Sequence, residues 1–381
     1  MRATTNTKKV AADAKWMNRA LKLARCGEAL ASPNPMVGTV LVRNGRVVGE
    51  GFHTYDARNH AEIVALESAG NKSRGATLYI NLEPCSHHGR TGPCTKALIA
   101  AGVGRVVAAM RDPNPKISGR GFRKLQAAGI IVETGLRESE ARELNEGFAR
   151  WITVRKPLVT LKSAITVDGA IAWPARARKK SSRWITSPES RNEVQKMRHA
   201  SDAVLTGIGT VLADDPLLTD RTGRPRRRPL LRVILDSRLR LPVSSKLVQS
   251  AKNDVLVFTA AKLESPKAKQ LRNAGVELMR SRRAHGGVDV RAVLRQLARR
   301  EILNVMIEAG TAVNSSALVA RAVDKLVVFG TEKAAGPGGK AWATKAAAAT
   351  LDTLSALRMQ HFGPDQCFTG YLRDVYGNHR T

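Results

Sequence analysis

Three residues of metal-ligand type, His60, Cys85 and Cys94, stand in one stretch with an acid that is not needed as a ligand, Glu62. One imidazole and two thiolates fill three corners of a tetrahedral Zn2+ site and leave the fourth for water, whose pKa the metal lowers toward about 7. A chain with this set must fold so that three element ends meet. His60 opens an apolar 3.6-period segment through Ile63 and Leu66, Cys85 follows the strand-like run 77–82, and Cys94 starts a further helical segment with Leu98 and Ile99. Helix starts expose unpaired N–H groups that favour thiolates. A lone cysteine packs as a small hydrophobe, so the metal reading rests on the agreement of residue type, order and context. His87 and His88 are adjacent on a loop, where two side chains rarely converge on one ion, and are read as loop residues.

The order H-x-E followed by P-C-x-x-C is the signature of zinc deaminases, in which the histidine and cysteines bind metal and the glutamate moves protons between water and the leaving amine. Here eight residues, not two, separate Cys85 from Cys94. With that longer loop, residues 81–94 resemble one branch of these enzymes, the bifunctional riboflavin-biosynthesis deaminase-reductase family. Pro33-Asn34-Pro35-Met36-Val37-Gly38 is similar to that family's substrate loop, and Arg111-Asp112-Pro113-Asn114-Pro115 recurs in family order. One departure is Gly92-Pro93, where the family commonly has two prolines. The resemblance implies a cytidine-deaminase-like three-layer α/β domain with Zn2+ on His60, Cys85 and Cys94, Glu62 as catalytic acid–base, and Asn34 binding the substrate.

At 381 residues the chain exceeds one typical domain and is expected to form two. Four cysteines, two of them assigned to metal, exclude a disulfide scaffold and fit a reducing compartment, so the expectation is a cytoplasmic protein. No apolar run reaches the roughly 18 residues of a membrane span. The formal charge of +31 would ordinarily indicate a nucleic-acid binder. It is spread over both halves, however, and an aromatic content of 4% leaves few platforms for stacking bases. A nucleic-acid-editing deaminase would account for the charge but would leave the second half unexplained.

In the first half the pattern predicts a helix near 12–27 (Met17, Ala20, Leu21, Ala24), a hairpin turning at Asn44-Gly45, and β–α pairs at 105–109 with 121–128 and at 130–133 with 138–150. Lys156-Pro157 marks the seam between expected domains 1–156 and 157–381, and strands are predicted at 158–162, 203–207, 231–235, 255–259, 276–279, 304–308 and 325–329.

Gly207-Ile208-Gly209 is only two-thirds of a dinucleotide fingerprint and is weak alone. Residues 205–219, together with 162–169, 182–187 and Glu308-Ala309-Gly310, nevertheless resemble the reductase half of the same family in order, so the resemblance spans about 14–375. It implies a dihydrofolate-reductase-like α/β domain that seats NADPH against a phosphorylated pyrimidine, and a homo-oligomer, a dimer. Carried over by position, Ile165, Trp184, Thr210, Asp214, Ser237 and the run Gly310, Thr311, Ala312, Val313, Asn314, Ser315 and Ser316 would contact NADPH. Ser182, Arg198, Leu218, Arg221 and Glu308 would hold the substrate, with the two arginines clamping its phosphate. Two stretches depart from the family: a basic insertion at 173–181, and Glu332 to Gly339 in place of the usual Pro-Lys-hydrophobic-Gly-Gly. A half-active protein with a scaffold-like second half is the remaining alternative.

Overall fold

A computed structural model describes residues 2–174, 184–284 and 286–377. The chain divides into two compact units, Met1–Arg155 with Pro225–Arg227, and Lys156–Arg224 with Arg228–Thr381.

In the first unit the elements run α1 (Arg2–Arg25), β1 (Gly38–Arg43), β2 (Arg46–Phe52), α2 (Ala61–Ala69), β3 (Thr77–Leu82), α3 (Cys94–Ala100), β4 (Arg105–Met110), α4 (Arg120–Ala127), β5 (Ile131–Thr134), α5 (Glu138–Leu144) and α6 (Glu146–Val154). The strands form one sheet in the order β2-β1-β3-β4-β5. The β1–β2 hairpin turns through Asn44 (φ 51°) and Gly45 (φ 71°), the backbone that an Asn-Gly turn adopts most easily. Helix α1 begins well before the predicted start, because its apolar stripe of Met17, Ala20, Leu21 and Ala24, all buried, covers only the second half of the helix. Helices α1 and α5 pack together, as do α2 with α3 and α3 with α4, which gives the expected three layers. At Gly38 a Cβ would stand 2.2 Å from the Ala20 carbonyl oxygen, so only glycine lets α1 lie this close to β1. The helix predicted over 138–150 is broken at Asn145, whose side chain has a tertiary task described below.

In the second unit β6 (Leu158–Ile165), β7 (Ala170–Ala172), α7 (Pro188–Ala200), β8 (Ala203–Gly207), α8 (Ile208–Asp214), β9 (Leu231–Leu235), α9 (Lys246–Gln249), β10 (Val255–Thr259), α10 (Pro266–Asn273) and β11 (Val276–Arg280) come first. They are followed by β12 (Arg283–Ala284), β13 (Gly287–Val288), α11 (Val290–Arg299), β14 (Asn304–Ile307), α12 (Thr311–Val319), β15 (Lys325–Gly330), β16 (Lys340–Ala341), α13 (Lys345–Ala348), β17 (Ser355–Phe362) and β18 (Asp365–Tyr371). A nine-stranded sheet in the order β11-β10-β9-β8-β14-β6-β15-β18-β17 is parallel from β11 to β15 and antiparallel beyond.

Alternate strand residues feed two separate cores. Leu205, Val233, Leu235, Leu256, Val305 and Ile307 pack on one face; Val204, Ile234, Val255, Val257 and Met306 pack on the other. This two-sided burial is why the strands read as unbroken apolar runs. The terminal β17–β18 hairpin was not anticipated, since β17 is exposed along nearly its whole length and carries no burial pattern.

Candidate active sites

The first site lies where three sequence-distant element ends meet. His60 is the extended residue capping α2, Glu62 follows in the first turn, Cys85 comes after β3, and Cys94 is the first residue of α3. The His60 Nδ1 atom lies 3.5 Å from Cys85 Sγ and 3.3 Å from Cys94 Sγ, and the three ligand atoms are all within 4.8 Å of one another. Tetrahedral Zn–N and Zn–S bonds require an N···S separation of about 3.6 Å, so the donor set fits a zinc ion with little movement. The thiol chemistry agrees. Cys85 is held well below the usual thiol range, first by the hydrogen bond from Cys94 and also by His60, while Cys94, which keeps the shared proton, is pushed up. One proton between two sulfurs is what a dication displaces. The backbone N–H of Cys94, at the start of α3, also donates to Cys85 Sγ at 3.3 Å. Glu62 is 3% exposed, and burial, aided by the negative charge on Cys85, raises its carboxyl to about 7. His87 and His88 are exposed and stand outside the cluster.

Polar residues not picked out from the sequence hold the surrounding loops. Asn34 Nδ2 pairs with His53 Nε2 at 3.0 Å, and His53 Nδ1 pairs with the Asn59 carbonyl at 3.0 Å. The carbonyl can only accept, so His53 Nδ1 carries the proton and Nε2 receives the Asn34 amide. Burial keeps His53 neutral by lowering its pKa. Asn81 and Asn145 act as backbone surrogates for the Asn34 loop: Asn145 Oδ1 accepts from Met36 N at 2.8 Å, Asn81 Oδ1 accepts from Gly38 N at 2.8 Å, and both amides donate to Met36 O. Glu83, 3% exposed, accepts the N–H groups of Asp112, Gly119 and Gly121 at 3.2, 2.8 and 2.8 Å and so ties the 112–121 loop to the cysteine loop. A Cβ on Gly121 would lie 2.2 Å from the Pro84 oxygen, which leaves no room for another residue there.

In the second unit five of the residues assigned by position lie at the carboxyl ends of parallel strands, where ligands of open α/β sheets bind. Ile165 ends β6, Thr210 follows β8, Ser237 follows β9, and Glu308 and Gly310 follow β14. Glu308 accepts from Lys162 Nζ at 3.3 Å and from Arg198 Nε and Nη2 at 3.0 and 2.8 Å. Burial alone would raise its carboxyl, but the Lys162 ammonium and Arg198 guanidinium overcome that and hold it at about 2. Arg198 Nη1 donates to the Thr219 carbonyl at 3.0 Å. Three of the five Arg198 donors thus serve Glu308 and the 217–221 loop, and Arg221, the second arginine expected at the phosphate, is exposed. Leu218 is buried with φ 54°, and the carbonyl of the preceding Leu217 is held by the fully buried Arg232, itself paired with Asp254 at 2.7 Å.

The remaining positions are less tightly tied. Ser182 lies outside the described residues. Trp184 is 51% exposed with the Arg191 guanidinium 5.0 Å from its ring, and Asp214 is exposed at the end of α8. The register of 332–339 is set by Asp168, whose carboxylate accepts the N–H groups of Ala335 and Gly336 at 3.0 and 2.8 Å. Arg232 left a trace in the sequence, a cation inside an otherwise apolar strand, and Lys162 opens the 162–169 stretch of the resemblance. His53 and Asn145 left none, and Asn81 and Glu83 stood out only as part of the 81–94 resemblance.

Comparison with known proteins covers both units. Residues 157–368 match the RibD C-terminal domain family, and residues 10–110 match the cytidine and deoxycytidylate deaminase zinc-binding region. The chain is 43% identical to the riboflavin biosynthesis protein RibD of Aquifex aeolicus over 86% of this chain and 88% of that one. It is 39% identical to the protein of that name from Escherichia coli, over 93% and 98%. Among solved structures, a diaminohydroxyphosphoribosylaminopyrimidine deaminase/5-amino-6-(5-phosphoribosylamino)uracil reductase from Thermotoga maritima superposes with a TM-score of 0.81 at 35% identity, covering 95% of this chain and 99% of the other.

Proposed function

The chain belongs to the RibD family of riboflavin-biosynthesis proteins, and on that premise we propose how its residues divide two consecutive reactions. It is a bifunctional enzyme. A zinc-dependent deaminase hydrolyses an amine from 2,5-diamino-6-(5-phosphoribosylamino)pyrimidin-4-one, and an NADPH-dependent reductase converts the ribosyl group of 5-amino-6-(5-phosphoribosylamino)uracil to a ribityl chain. The two activities divide at residues 1–156 and 157–381.

The observation that carries the deaminase assignment is the convergence of His60, Cys85 and Cys94 beside the buried, unligated Glu62. These three ligands would hold zinc, which when bound supplies a Lewis acid that makes water nucleophilic near neutral pH. The Glu62 carboxyl, poised near neutrality, takes a proton from the attacking water and delivers it to the departing nitrogen, so that a C–O bond replaces the C–N bond and ammonia leaves. With its amide nitrogen committed to His53, Asn34 offers its carbonyl oxygen to the donor groups of the pyrimidine.

In the second unit Ile165, Trp184, Thr210, Asp214, Ser237 and Gly310 to Ser316 would hold NADPH, which supplies the hydride when bound. Glu308, Leu218, Arg198 and Arg221, with Ser182, hold the phosphorylated substrate. Arg198 and Lys162 keep Glu308 ionised and in place. The reading extends to a cytoplasmic homodimer acting on small molecules rather than nucleic acid. Among the described residues no helix is long and apolar enough to cross a membrane.

Removal of zinc tests the assignment. Dialysis against a strong chelator is expected to abolish ammonia release, with recovery on adding Zn2+, while NADPH oxidation on the already deaminated compound continues unchanged. Ammonia release that survives in demonstrably zinc-free protein would exclude it.

A further inference from the structure

The strap 333–344 lies outside every residue assigned above, yet it is fastened beside the proposed cofactor site by five separate attachments. Asp168 holds Ala335 and Gly336, and β16 pairs with β7. The Thr311 hydroxyl donates to the Ala341 carbonyl, and Asn314 Nδ2 donates to the Trp342 carbonyl at 2.9 Å. Thr344 N adds a bond to Ser315 Oγ at 2.9 Å. Three side chains of α12 thus fix the backbone just after one exposed residue, Lys340, while Asp168 fixes the strap before it.

Gly310 caps α12 in an extended conformation with no side chain over the helix end. A Cβ placed there would lie 3.6 Å from Lys340 Nζ and 3.8 Å from Thr210 Oγ1. An ammonium and a hydroxyl are therefore brought over the same bare stretch of backbone, beside helix N–H groups that have no intrahelical acceptor. No carboxylate among the described residues pairs with Lys340. A cation, a hydroxyl that can donate and the positive end of a nine-residue helix gathered at one point form a favourable setting for an anion. The absence of a side chain at Gly310 admits a bulky anion to the backbone, which a diphosphate needs and a peripheral monoester does not.

We propose that Lys340 is a ligand for the diphosphate of the nicotinamide cofactor, acting with Thr210 over Gly310. The inference rests on the NADPH reading above. It adds a residue that neither the family motifs nor the positional carry-over supplied, and it gives the divergent strap a role, delivery of a cation.

Because NADPH and NADH share the diphosphate, the two cofactors separate this contact from one to the 2′-phosphate. Nucleotide fluorescence titration of the full-length protein at two ionic strengths measures binding without turnover. K340A is expected to weaken NADPH and NADH by a similar factor of about ten, the cost of one charge-assisted hydrogen bond, and to flatten the salt dependence. K340R should retain most of the affinity, and T210A should lose a smaller part. K340Q, which keeps most of the side-chain length but not its charge, should behave like K340A and guards against a packing effect. Unchanged affinity in K340A, or a loss confined to NADPH, overturns the proposal. Failure of the wild-type protein to bind either nucleotide would instead overturn the NADPH reading on which it rests.

Discussion

Replacing Glu62 by glutamine is expected to leave zinc bound and to lower ammonia release by about 10³- to 10⁴-fold, near the upper limit for loss of a positioned acid–base. The amide matches the carboxylate in shape, so the packing of a side chain that is only 3% exposed is preserved. It also removes a charge that burial and the neighbouring Cys85 disfavour, so the protein should fold normally. What it cannot do is accept a proton from water and pass it on. Because Glu62 is not a member of the ligand cluster, metal analysis should give the wild-type zinc content, whereas C85A should lose both zinc and ammonia release. The reductase provides an internal control: E62Q given the deaminated compound should oxidise NADPH at the wild-type rate. Loss of zinc from E62Q, or ammonia release close to wild type, would remove Glu62 from the proton path.

The second large effect is expected at Glu308. Its partners Lys162 and Arg198 each have side chains only 10% exposed, and Glu308 itself is 21% exposed. E308A would leave two cations buried without their anion, a change that costs about 3–5 kcal/mol in comparable sites. For a unit of this size that corresponds to a fall in Tm on the order of 10 °C. Reductase activity should be lost together with the anchorage of the 217–221 loop.

The pH dependence follows from the same cluster. The folded carboxyl is held at about 2, below its ordinary value near 4.5, so its stabilising contribution is complete above about 4.5 and disappears as the pH falls from there toward 2. E308Q, which keeps one acceptor and the side-chain volume, should be less destabilised than E308A and should lose this acid-sensitive component. A thermal melt of E308A superimposable on wild type would show that Lys162 and Arg198 do not depend on the carboxylate.

What could be read from the sequence was chemistry written in short contiguous motifs and packing written in periodicity. His60-Ala61-Glu62 and Pro84-Cys85 carry their roles locally, and the buried strands Ala203–Gly207, Leu231–Leu235 and Val255–Thr259 announce themselves as apolar runs because helices cover both faces. The residues that fix the geometry were hidden because their partners are backbone groups far along the chain. Asn145 meets Met36 across 109 positions, and Glu83 gathers N–H groups 29 to 38 residues away. No spacing rule reports such a bond. Asn145 also broke a predicted helix, a tertiary demand overriding local preference. Arg198 shows the converse limit: positional resemblance identified the residue, but only the coordinates showed that its donors serve Glu308 and Thr219.

Two sites acting in sequence on one chain make a quantitative demand. The most direct measurement supplies the wild-type protein with the diaminopyrimidine ribosyl phosphate and NADPH and follows ammonia and nicotinamide absorbance together. Equal amounts of ammonia and oxidised NADPH are expected, with ammonia appearing first and NADPH oxidation following after a lag that vanishes when the deaminated compound is supplied instead. NADPH oxidation without ammonia, or ammonia release with no NADPH consumed, would contradict the order and the pairing of the two sites.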